Sequence, residues 1–90
     1  MAIAIVLINV VAQETNRIAE ELSSISGISE VYSVAGTYDL VAVVRLKNDD
    51  SLAGLVTDQL RRVGGIVRTE TLIAFRSYSQ YDLNSLFDMN

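Results

Sequence analysis

The residues best suited to chemistry lie in two short stretches. Gly36-Thr37-Tyr38-Asp39 puts a glycine, a hydroxyl, a phenol and a carboxylate in succession between two apolar runs. Thr69-Glu70-Thr71 brings two hydroxyls and a charge onto a later run. A glycine-led turn can expose backbone N–H groups to a carboxylate, and a carboxylate such as Asp39 can accept from an ammonium. Together they would hold a small zwitterion. The same turn also has a purely architectural reading: Gly36 permits a positive φ, and Asp39 accepts from nearby backbone N–H groups. The residues alone leave both readings open. Thr69 and Thr71, two apart on a strand, share one face.

Catalysis finds little to work with. The chain contains no His and no Cys, which removes imidazole bases, thiolate nucleophiles, disulfides and the usual zinc sites. No metal or cofactor is expected. Asp49 and Asp50 read as helix capping, and Glu20 and Glu21 as a solvated helix face. No nucleophile–base pair and no glycine-rich phosphate loop can be read from spacing, so the expectation is a non-enzyme. Seven Lys and Arg stand against eleven Asp and Glu, for a net charge of −4. Phosphate-driven nucleic-acid binding needs the opposite balance, and the only adjacent basic pair is Arg61-Arg62. The longest apolar run, residues 2–8, is too short for a bilayer and lacks a signal peptide's charged leader. A soluble cytoplasmic protein, with no direct nucleic-acid or membrane partner, is the expectation.

The elements that must position these residues follow from periodicity. With 90 residues, one domain is expected, over residues 1–75, with a polar tail over 76–90. Residues 2–11 are β-branched and apolar, a strand pattern. Ile18, Ala19, Leu22 and Ile25 fall at helical spacing, and Gly27 ends that helix. Residues 28–35 and 40–46 are strands flanking the turn. Asn48-Asp49-Asp50-Ser51 caps a second helix, whose stripe is Leu52, Leu55, Val56, Leu60 and Val63, ended by Gly64-Gly65. Residues 66–75 form the fourth strand. The tail contributes a strand extension or a short helix near residues 83–87.

The order βαββαβ contains a repeat. Gly65 lies 38 positions after Gly27, and the same shift superposes Ala4 on Ala42, Val6 on Val44, Leu22 on Leu60 and Ile28 on Ile66. Two tandem βαβ units give an α+β, ferredoxin-like βαββαβ sandwich: a four-stranded antiparallel sheet with two helices on one face and the first and third strands central. Both central strands are apolar on both faces. The helices cover one face only, so the other is expected to pack on a second sheet in a two-fold homodimer. A rival covering is the tail folding back, for which its mostly polar residues are poorly suited.

Residues 30–46, EVYSVAGTYDLVAVVRL, and 67–75, VRTETLIAF, together resemble the effector-binding domain of the Lrp/AsnC regulator family. The resemblance rests on the Gly36-x-Tyr38-Asp39 turn and the Thr69-x-Thr71 strand. It implies a stand-alone regulatory domain, because the chain begins at the first strand where family members usually carry a helix-turn-helix domain. It implies sheet-to-sheet dimers, rings such as octamers, and an amino-acid effector bound between dimers. Carried over by motif, the ligand-binding residues are Gly36, Thr37, Tyr38 and Asp39, with Thr69 and Thr71 from a neighbouring subunit. The turn and that strand belong to opposite edges of the sheet, so one subunit is not expected to join them. Full-length family regulators are the implied partners. The alternative is a small dimeric ferredoxin-like enzyme acting on a hydrophobic substrate, against which the missing His argues.

Overall fold

The computed structural model describes residues 2–47 and 49–80. Four strands form one sheet: β1 (Ala2–Val10), β2 (Ile28–Ser33), β3 (Leu40–Leu46) and β4 (Ile66–Ala74). Their spatial order is β2-β3-β1-β4 with antiparallel neighbours, the expected ferredoxin-like arrangement with β1 and β3 central. Helix α1 (Thr15–Ser23) crosses from β1 to β2. Helix α2 (Asp49–Gly54) begins the crossover from β3 to β4. The suggested tail helix near 83–87 and the Asn48 part of the capping cluster lie outside the described residues.

Strand alternation sorts the side chains cleanly. Ala4, Val6 and Ile8 of β1 and Leu40, Ala42 and Val44 of β3 are fully buried beneath the helices. Register pairs large with small across the two strands, Ala4 with Val44 and Val6 with Ala42, which lets the central layer fill without voids. Ile18 and Leu22 of α1, with Leu52, Leu55 and Leu60 of the second crossover, close the core from above. Positions joined by the 38-residue shift take equivalent places: Ala4 with Ala42, Val6 with Val44 and Leu22 with Leu60 are all core.

The glycines that end the two helical crossovers are also equivalent. Gly27 and Gly65 have φ of +100° and +97°. A Cβ on Gly27 would lie 2.6 Å from Leu46 Cδ2, and one on Gly65 would lie 2.7 Å from Ile18 Cδ1. The positive φ favours glycine at both positions, and an added Cβ would also displace the tip of a neighbouring side chain.

The second crossover departs from the single α-helix its pattern suggests. After α2 it continues as a π-helical turn (Leu55–Gln59) and a 3-10 turn (Leu60–Arg62). The apolar stripe is at ordinary α-helical spacing, so it does not account for the π turn; Leu55 and Leu60 both reach the core.

Candidate ligand-binding site

The turn at residues 36–39 lies at the end of the sheet and is held from two sides. The Asp39 N–H donates to the Ile8 carbonyl at 2.9 Å, and the Val34 N–H donates to the Asp39 carbonyl at 3.0 Å. Asp39 Oδ2 then accepts from the Val10 N–H at 2.9 Å, with the Asn9 side-chain amide 3.4 Å away. The Asn9 amide also donates to the Thr37 carbonyl at 2.9 Å. Here β1 outruns β3, since their pairing stops at Ile8–Leu40. Val10 would have no strand partner on that side, and the Asp39 carboxylate stands in for the missing strand carbonyl. The architectural reading of Asp39 is thus realised in the structure, with one carboxylate oxygen committed to it.

A further contact lies outside what the edge positions suggest. The Tyr38 hydroxyl donates to Glu70 Oε2 of β4 at 2.5 Å, and the Arg68 guanidinium stands 5.8 Å from the centre of the Tyr38 ring. The expectation that one subunit cannot join the turn to the β4 strand is therefore corrected. β2 and β4 are opposite edges, but the turn sits at the sheet end beside β1, so a phenol can span the one strand between. The hydrogen bond to Glu70 holds the Tyr38 phenol above its usual pKa.

β4 presents different groups to its two faces. Thr69 and Thr71 pair with Ile8 and Val6 and so take the helix side of the sheet. Arg68 and Glu70 pair with Asn9 and Leu7 and take the open side, where Tyr38 meets them. Within one subunit the structure brings Gly36, Thr37, Tyr38 and Asp39 together with Glu70, Arg68 and Asn9. It does not bring Thr69 and Thr71 to that face. Strand alternation around Thr69 was the available signal for Glu70 and Arg68. Nothing local marked Asn9, whose role depends on where β3 stops.

The turn keeps unused donors. Among the described residues, the N–H groups of Gly36, Thr37 and Tyr38 donate to no protein acceptor. Gly36 has a φ of +135°, and a Cβ added there would meet nothing within 4 Å, so this side of the turn is open. Successive free N–H groups can hold an anion where they converge.

A second cluster lies on the open face across the sheet. Arg45 Nη2 is 3.3 Å from Glu30 Oε1, and the Tyr32 hydroxyl donates to Glu30 Oε2. These two contacts, the Tyr32 bond first, hold the Glu30 carboxyl below its usual range. Between the two clusters run Ile3, Ile5, Leu7, Val41 and Val43, none of them buried, with Ile5 37% exposed and Leu72 46% exposed beside them. Residues 75–80 do not cover this face, since Phe75 and Tyr78 are themselves in solvent. Among the described residues no group of three metal-ligating side chains occurs, and no helix is long and apolar enough to cross a membrane.

Comparison with known proteins shows the family. The model of the Lrp/AsnC ligand binding domain matches residues 3–83. The chain belongs to the Lrp/AsnC ligand binding domain family. A crystal structure of a Thermus thermophilus protein superposes on this Lrp/AsnC domain with a TM-score of 0.82 at 42% identity, covering 89% of this chain and 100% of that one. An HTH-type transcriptional regulator of Pyrococcus horikoshii is 38% identical over 58 residues, 64% of this chain. The chain spans only 39% of that regulator's length. A feast or famine regulatory protein from M. tuberculosis, solved with L-methionine, is 26% identical at a TM-score of 0.72, covering 89% of the Lrp/AsnC domain and 54% of its own chain.

Proposed function

We propose that this chain is a non-catalytic regulatory module that binds a free amino acid at the 36–39 turn and self-associates through the open face of its sheet. The observation that carries the reading is the row of unused N–H groups at Gly36, Thr37 and Tyr38, which suits a carboxylate. The ammonium needs an anionic acceptor. The second oxygen of Asp39 and the Glu70 carboxylate, brought to the turn by Tyr38, are the candidates. Thr69 and Thr71 face the helix side and would join such a site only from a neighbouring subunit. The family membership supports the reading, as does the M. tuberculosis relative solved with L-methionine.

Self-association rests on Ile5, Val41, Val43 and Leu72, whose exposure in a lone subunit leaves an apolar strip in water. A two-fold pairing of sheets would cover it, and further assembly of such dimers into rings belongs to the same proposal. Regulation would act through longer family members that carry a DNA-binding segment, consistent with the chain matching only part of the Pyrococcus horikoshii regulator.

The test is titration calorimetry with the twenty amino acids, L-methionine first, followed by its amide and its deaminated acid. Binding that fails for both analogues supports a zwitterion site. Equal binding of the amide would remove the N–H row from the site. No heat with any amino acid would overturn the reading.

A further inference from the structure

A cavity of about 370 Å³ lies between the second crossover, the loop after α1 and the end of β3. Its apolar lining is Leu46 and Leu55, which close in over Gly27; a Cβ on that glycine would come 2.6 Å from Leu46 Cδ2 and 2.7 Å from Leu55 Cδ1. Its polar lining includes Ser26, Asp58, Gln59 and Arg62.

Among the described residues, the side chains of these four make no hydrogen bond or ion pair. Other charged groups of the chain do find partners: Arg17 holds Glu14 at 2.9 Å and Glu21 at 3.0 Å, and Arg45 holds Glu30. Asp58 and Arg62 have the spacing that pairs opposite charges on a regular helix. Between them, at Leu60, the crossover changes from a π-helical to a 3-10 turn, and both line the cavity without meeting. Single π turns within helices occur frequently at functional sites.

A carboxylate and a guanidinium thus open onto one cavity beside an apolar surface. A simple anion there would meet Asp58, and a simple cation would meet Arg62, so either gains at one side chain and loses at the other. A molecule carrying both charges gains at both. Arg62 can grip a carboxylate with paired N–H groups, Asp58 can accept from an ammonium, and the Gln59 amide and Ser26 hydroxyl can each donate or accept.

We infer that this cavity is a second binding site, for a small dipolar molecule whose carboxylate is held by Arg62, whose ammonium is held by Asp58 and whose apolar body rests on Leu46 and Leu55. The cavity and the 36–39 turn lie at opposite ends of the sheet. Leu46 pairs with Ala2, whereas Leu40, next to the turn, pairs with Ile8, the length of β3 or about 20 Å away. The inference therefore stands or falls separately from the proposed function.

Titration calorimetry on the full chain tests it with two compounds. In L-leucine the two charged groups share one carbon, and in 6-aminohexanoate a methylene chain separates them, so the compound that binds reports the spacing. Arg62→Gln and Asp58→Asn should each weaken that binding about tenfold or more, as loss of a hydrogen bond to a charged group does. Arg62→Gln should also remove the preference for the zwitterion over its amide, which a merely structural role would leave in place. Both side chains are exposed and unpaired, so the variants should melt like the parent. No binding of either compound would overturn the proposal. Weakening in only one variant would mark a site for a single charge and would overturn it too. Binding that neither variant weakens would also overturn it, while leaving the 36–39 turn as the site.

Discussion

The Tyr38 hydroxyl and Glu70 Oε2, 2.5 Å apart, tie the β2–β3 turn to the far edge strand of the same sheet. The bond brings the Glu70 carboxylate to the turn whose Gly36, Thr37 and Tyr38 N–H groups are unused. Because Tyr38 and Glu70 lie on the open side of the sheet, any ligand that disturbs the pair also acts at the rim of the face proposed for self-association.

The hydrogen bond to Glu70 should be visible in the titration of Tyr38. Its phenol is held above the ordinary value of 10.0. A group whose folded pKa is raised adds stability below its unfolded pKa and loses it as pH rises through the folded one. The clasp should therefore persist through neutral pH and open only above about pH 10. Ultraviolet titration of tyrosinate, compared with Tyr38→Phe, should lose one late-ionising phenol. An unchanged late phase would remove this interaction.

Asp39→Ala should destabilise the fold whether or not ligand is present. The Val10 N–H loses the acceptor that replaces a strand carbonyl, a loss of about 1–3 kcal/mol for a partly buried donor. Asp39→Asn retains an oxygen there and should recover much of it. Urea melts without ligand give the comparison, and Asp39→Ala melting like the parent would contradict the clamp.

Gly27→Ala and Gly65→Ala should each cost about 1–3 kcal/mol, because both force a side chain into a positive-φ position and onto a neighbour under 3 Å away. Gly36→Ala meets no neighbour within 4 Å, so only backbone strain remains and its effect should be the smallest of the three. Thermal melts rank them.

Adjacent valines of β3 separate folding from assembly. Val44 is fully buried under the helices, while Val43 pairs with Ile5 on the open face. Val44→Asp should unfold the protein, since an unpaired buried charge costs several kcal/mol. Val43→Asp should keep a cooperative melt and sediment as a smaller species. A parent protein that is already monomeric at micromolar concentration would refute the sheet pairing.

Much of this was legible in the residues. Alternation and helical spacing marked the strands and crossovers, the 38-residue repeat marked two equivalent glycines, and the doubly apolar β1 and β3 marked a face needing cover. These follow because period and glycine placement are local, and each residue's neighbours in sequence carry the information. The turn was legible as a candidate site for the same reason. Other features depended on distances along the chain that only folding closes. Asp39 reaches Val10 because β1 extends past β3. Tyr38 reaches Glu70 because the turn settles at the sheet end, where one strand's width separates it from β4. Thr69 and Thr71 fall on the helix side because register with Ile8 and Val6 sets which face each β4 residue takes. Register, strand ends and loop placement are properties of the packed sheet, and it was there that the partners of Asp39, Tyr38 and Glu70 were decided.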